Sequence, residues 1–129
     1  MSSLPDDVRA LLEGPNYAHV ATLMPDGSPH SVPVWIGVEA GRVAFLTSPD
    51  SRKARNLERD PRVAISVTAH DRPFTMASVR GRAQRVEGDA AWEVIDRIAH
   101  KYTGQPYPLR TDRVVFLVDS EHAWAQAFG

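Results

Sequence analysis

The apolar positions of the chain change period several times, and each change marks an element. Val8, Leu11 and Leu12 recur at helical spacing until Gly14. Ser3 as a cap, Pro5 in the first turn and the acids Asp6 and Asp7 at the positive end predict a short opening helix. From Tyr17 to Met24 the run YAHVATLM is β-branched and apolar, and MPDGSP follows with the Asp26-Gly27 pair that a tight hairpin turn uses. PHSVPVWIGVE is the predicted return strand, with Val32, Val34, Ile36 and Val38 on one face. Pro33 cannot donate to a ladder, which puts this strand at an edge or beside a bulge.

Ala40-Gly41 makes the next turn and RVAFLTS a third strand. SRKARNLERD has good helix formers and stops at Pro61, RVAISVTAH alternates Val63, Ile65 and Val67 as a fourth strand, and FTMASVRGRAQRVE is a long fifth one. Gly81 interrupts it at an expected bend or bulge. DAAWEVIDRIAHKYTG sets Trp92, Ile95 and Ala99 on one helical face, with Asp89 and Lys101 matching the helix dipole at its two ends. A last strand around Val114 to Val118 leads into an aromatic tail. About six strands joined mostly by turns, one helix midway and one late predict a small β-barrel flanked by helices, in a single domain over residues 1–129.

Composition removes several classes of function. Fifteen Lys plus Arg against sixteen Asp plus Glu leave a net charge of −1, so nothing global points to nucleic acid or an anionic membrane, and RGRAQR lacks the aromatic pattern of an RNA-binding strand. The absence of cysteine excludes a thiolate nucleophile and a Cys-ligated zinc. His19, His30, His70, His100 and His122 never stand four apart, so no metal is expected. There is no P-loop, G-x-S-x-G or G-x-G-x-x-G. The N-terminal residues do not read as a signal peptide and no apolar run is long enough for a membrane span, so a cytoplasmic setting is the expectation.

What remains is local. TSPDSRKARNLERDPRVAIS carries Arg52, Lys53, Arg55, Arg59 and Arg62. The first three lie in the first turn of a short helix that follows Thr47 and Ser48, where free backbone N–H groups, hydroxyls and cations converge on an anion-sized spot suited to phosphate. The plain alternative is a solvated face on which Arg55 and Arg59 pair with Asp50, Glu58 or Asp60.

The stretch from HVATLMPDGSPHSVPVW through the strand ending LTS to RKARNLERDPRVA, together with VRGRAQRV, resembles the FMN-binding split-barrel superfamily of pyridoxamine 5'-phosphate oxidase-like proteins. More narrowly, it resembles their small branch that uses the deazaflavin coenzyme F420. The resemblance implies a six-stranded antiparallel split β-barrel, mainly β with flanking helices, forming a homodimer with two cofactor sites at the interface. It also implies that His30, Ser31, Val32, Pro33, Val34 and Trp35 lie along the ring of coenzyme F420, or of FMN as the alternative. Thr47 and Ser48 then hold the ribityl chain and phosphate, Arg52 and Lys53 pair with the phosphate, and Gln84 and Trp124 reach across the interface. Each position also has a plain role: Trp35 as packing, Pro33 as an edge kink, Gln84 as an ordinary strand residue.

The activity so implied is an F420-dependent oxidoreductase passing a hydride between the cofactor and a small unsaturated or quinone-like substrate. The alternatives are an FMN-dependent enzyme and a non-catalytic flavin or deazaflavin binder. Larger pyridoxamine phosphate oxidases carry extra terminal segments for their substrate, and 129 residues are few for both, so that oxidation is not the expectation. Tyr102, Tyr107, His30, His122 or solvent remain open as proton donors, and no catalytic residue is assigned.

Overall fold

Among the described residues antiparallel pairing joins seven strands into one sheet in the order β2-β1-β5-β6-β7-β4-β3. The computed structural model describes residues 4–128, so Ser3, the expected cap, lies outside the described residues. In chain order the elements are α1 (Asp6–Glu13), β1 (Ala18–Leu23), β2 (Pro29–Val34), β3 (Gly37–Glu39), β4 (Arg42–Thr47) and α2 (Arg52–Arg59). They continue with β5 (Arg62–Ala69), β6 (Arg72–Val86), α3 (Asp89–Thr103) and β7 (Val114–Ala127). This is the α+β split-barrel architecture expected, with one strand more. Among the described residues no helix is long and apolar enough to cross a membrane.

The extra strand arises because the predicted return strand breaks at Trp35 and Ile36. Ile36 N–H donates to the Tyr102 hydroxyl at 3.1 Å, and Ile36 C=O accepts from Lys101 Nζ, so α3 side chains take the groups a ladder would have used. Beyond the break β3 pairs with β4 at the opposite end of the sheet order. β2 is an edge strand, as Pro33 requires, and Pro33 stands opposite His19. The hairpin turn closes through Gly27 at φ +87°, with Asp26 Oδ1 accepting from Ser28 N–H at 3.0 Å.

Two apolar clusters hold the molecule together. The larger fills the rolled sheet with Val20, Phe45, Ile65, Val79 and Phe116, and α1 adds Val8, Leu11 and Leu12. Full burial of side chains of this size, as at Val8 and Leu12, stabilises by roughly 1.5–3 kcal/mol each. The second lies between α3, through Ala91, Val94, Ile95 and Ile98, and the outer face of β4 and β7, through Ala44, Val115 and Leu117. Covered on both faces, β7 begins as the unbroken run VVFLV rather than as an alternation.

One further expectation changes and another gains a second role. Lys101 stands in the last turn of α3 as expected, and its Nζ also donates to Leu12 C=O at 2.9 Å, at the last turn of α1, and to Ile36 C=O. The aromatic tail is not a tail but the second half of β7, which pairs with β6 as far as Thr75 opposite Ala127. The bulge expected at Gly81 is present, since Arg80 faces His122 and Gly81 faces Ser120.

Candidate functional site

The corner between β4 and α2 is tightly bonded. Thr47, buried at the end of β4, donates its hydroxyl to Ser51 Oγ at 2.9 Å. Ser51, extended at φ −65° and ψ 157°, caps α2 by accepting from Ala54 N–H at 3.2 Å. Ser48 C=O accepts from Ser51 N–H and Ser48 Oγ from Asp50 N–H. The hydroxyl proton of Thr47 is therefore committed to the cap, while that of Ser48 is free to be donated.

The first turn of α2 then breaks a local rule. It carries Arg52 and Lys53 and no acid, although the positive end of a helix dipole disfavours cations. Two of the three carboxylates that offered a plain alternative are engaged elsewhere: Glu58 pairs with Arg85, and Asp60 pairs with Arg62 at 2.7 Å and titrates at about 2 because of those bonds. Arg59 donates to Leu23 C=O. Among the described residues the side chains of Arg52, Lys53 and Arg55 make no ion pair or hydrogen bond. Arg52 and Arg55 are exposed, which water compensates, but Lys53 is half-buried. Burial, and next the charge of Arg113, hold the Lys53 ammonium below its ordinary pKa.

Lys53 lines a cavity of about 200 Å³ with Pro33, Val34, Trp35, Leu46 and Tyr107. The aromatic wall is fixed. The Trp35 ring stacks on Tyr102 at 5.1 Å and 11°, Tyr107 meets it edge-on at 6.2 Å, and Tyr17 stacks on the far side of Tyr102 at 5.7 Å. The Tyr102 hydroxyl donates to Asn16 C=O at 2.5 Å while it accepts from Ile36 N–H, and burial raises its pKa. A rigid aromatic wall beside an uncompensated ammonium fits a planar ring with an anionic tail. The volume is below the roughly 300–1,000 Å³ usual for a complete ligand pocket, so one chain provides only part of an enclosure for a ligand of that size.

The structure brings together Pro33, Val34, Trp35 and Lys53, with Thr47 and Ser48 at the adjoining corner. It leaves others apart. His30, Ser31 and Val32 lie outside the cavity lining, and among the described residues the buried His30 Nδ1 has no hydrogen-bond partner. Arg52 lies outside the cavity lining. Gln84 is exposed on β6 and accepts from Arg42 Nη1 at 3.5 Å. Trp124 is 47% exposed and ten residues along β7 from Val114, about 30 Å at strand rise, so it cannot reach the cavity of its own chain.

Sequence reasoning missed Ser51, though a serine ahead of RKARNL is a legible cap signal. It missed Leu46, Asn56 and Arg113. Asn56 is fully buried and donates to Thr22 Oγ1 at 3.0 Å, tying α2 to β1. Tyr107 and Tyr102 entered only as possible proton donors, not as walls.

Comparison with known proteins agrees with this architecture. A sequence model of the family described as "Pyridoxamine 5'-phosphate oxidase" matches residues 4–127. A pyridoxine/pyridoxamine 5'-phosphate oxidase from Bacteroides thetaiotaomicron is 28% identical over 108 residues, 83% of this chain and 47% of that protein, so the chain spans about half the length of that relative. Among solved structures, an F420 reductase superposes with a TM-score of 0.81 at 30% identity, covering 94% of this chain and 98% of that one. A conserved hypothetical protein from Mycobacterium tuberculosis gives 0.80 at 26%, covering 98% and 90%. With a family match over nearly its whole length and the split-barrel fold behind it, the chain belongs to the pyridoxamine 5'-phosphate oxidase family.

Proposed function

We propose that the protein is an oxidoreductase that binds the deazaflavin coenzyme F420 and acts on a small unsaturated or quinone-like organic substrate. The observation that carries this reading is the half-buried Lys53, without an anionic partner among the described residues, beside the stacked Trp35 wall and the capped start of α2. Similarity to an F420 reductase at 30% identity supports the choice of cofactor. When bound, the deazaflavin supplies hydride transfer to an electron-poor double bond.

The chain's own residues bind and orient. Lys53 holds the anionic tail, Ser48 offers a hydroxyl donor at the same corner, and Trp35 with Pro33 fixes the ring plane. Tail contacts remote from the reacting atoms use binding energy to set the ring against the substrate. The residues left outside the cavity, Gln84 and Trp124, act across a homodimer interface in this reading.

Fluorescence titration of cofactor-free protein tests the reading. Coenzyme F420 binds more tightly than FMN, and Lys53→Ala loses about tenfold or more, the size of one charge-assisted bond. Tighter binding of FMN replaces this reading with an FMN-dependent oxidoreductase, which family membership favours. Binding of either without turnover of quinone or enone substrates makes the protein a cofactor carrier.

A further inference from the structure

The α3–β7 connection brings a second cation to the Lys53 corner. In the antiparallel ladder Thr47 stands opposite Val114, so Arg113, one residue earlier, lies at the level of Ser48 and the start of α2. Arg113 Nε donates to the Tyr107 hydroxyl at 3.3 Å, and its guanidinium sits 5.7 Å from the Tyr107 ring centroid. Tyr107 and Lys53 line the same cavity.

The connection is itself clamped. Asp96 on α3 accepts from Tyr107 N–H at 3.1 Å and from Nη1 and Nη2 of Arg110 at 2.7 and 3.2 Å, and Arg110 lies over the Trp92 ring at 4.4 Å. Arg113 is thus presented by a fixed strap. Its remaining hydrogen bond goes to the neighbouring Asp112 C=O, and among the described residues no carboxylate pairs with it or with Lys53. Two half-buried cations close enough for the charge of Arg113 to act on the Lys53 ammonium raise the energy of the free protein, and an anion between them removes that cost.

We propose that Arg113 and Lys53 together form a phosphoryl-binding site, and that Arg113 sets the preference for phosphorylated over unphosphorylated ring ligands. Arg113 offers a planar fork of donors suited to two phosphoryl oxygens, whereas Lys53 offers a point charge. This rests on the reading that the adjoining cavity takes a flavin-like ring.

The test compares ligand pairs differing only beyond the ribityl chain: FMN against riboflavin, and coenzyme F420 against its ring bearing the ribityl chain alone. Arg113→Ala loses at least about tenfold for the phosphorylated member, one charge-assisted bond, and leaves the unphosphorylated member within about twofold. Arg113→Lys recovers part of the loss. Equal weakening of both members, or of neither, overturns the proposal. Arg113→Gln, which keeps a donor for Tyr107 without the charge, repeats the test if the alanine variant folds poorly. If wild-type protein binds neither ring, the functional reading falls and the anion site is judged alone by inorganic pyrophosphate at constant ionic strength. Pyrophosphate then raises the melting temperature of wild type and of the exposed control Arg72→Ala but not of the Arg113 and Lys53 variants; the same rise in all of them overturns the site.

Discussion

The Tyr102 hydroxyl joins segments far apart in the chain, accepting from Ile36 N–H and donating to Asn16 C=O, while its ring lies between Trp35 and Tyr17. Ile36 is fully buried, so Tyr102→Phe leaves its N–H without a partner at a cost of about 1–3 kcal/mol, while the ring stack survives. A lower urea midpoint with near-ultraviolet circular dichroism and cofactor affinity retained is the expected result; loss of affinity in step with stability would mean that the hydroxyl itself, not the ring, places Trp35. Asp60 gives a second residue-scale prediction. The bonds from Arg62 hold its folded pKa at about 2, below the unfolded 3.8. The contribution is therefore complete above the unfolded value and is lost as pH falls through the folded one. Asp60→Asn melts at a lower temperature than wild type at about pH 6, and the gap closes between about pH 4 and pH 2; a gap that persists at the acid end removes Asp60 from the linkage.

At the scale of elements, the bulge in the β6–β7 ribbon shows what a local pattern conveys and what it does not. Gly81 inside FTMASVRGRAQRVE marked the bulge because only a residue without Cβ admits so close an approach: a Cβ there would lie 2.0 Å from Asp119 C=O. Gly81→Ala forces backbone apart in the longest ladder of the sheet and costs about 3 kcal/mol, a severe single-site effect with a named steric cause. Chemical denaturation checks it, with a lower midpoint at unchanged slope expected, and a variant as stable as wild type would show that the bulge relaxes freely. Strand runs, turns and all three helices were legible because burial period and turn chemistry are local. The break at Trp35–Ile36 was not, because Tyr102 and Lys101, some 66 residues away, compete for the Ile36 backbone groups. Nor was the length of β7, whose second half is strand because fifteen-residue β6 offers it a ladder. Arg52 and Lys53 were named together through the family resemblance, and only the structure separates them by setting Lys53 in the cavity lining; Arg113 was not legible, since only the register of β4 with β7 sets it beside Ser48.

The whole molecule keeps one sheet face open. On the outer half of the β6–β7 ribbon the inward positions are small, with Ala77 opposite Ala125 and Val79 opposite Ala123, while the outward positions carry Phe74, Met76, Trp124 and Phe128. Phe74 and Phe128 meet edge-on at 6.1 Å and are 60% and 50% exposed. Apolar side chains this large, clustered on the water-facing side of a ribbon, suit a subunit interface better than a free surface. The cavity beside Lys53 is enclosed on too few sides for a planar cofactor, so a second chain would supply both a cover for this face and a wall for that cavity. Sedimentation of the wild-type protein is expected to give a particle of two chains. Trp124→Arg, which sets a charge on the open face without touching the core, is expected to give one chain with unchanged secondary structure. Cofactor affinity should fall with the loss of the dimer, and in wild type it should weaken on dilution through the dimer dissociation range, because a ligand held by both chains is linked to their association. Full affinity in a monomeric Trp124→Arg would place the whole binding site within one chain and confine the open face to some other contact.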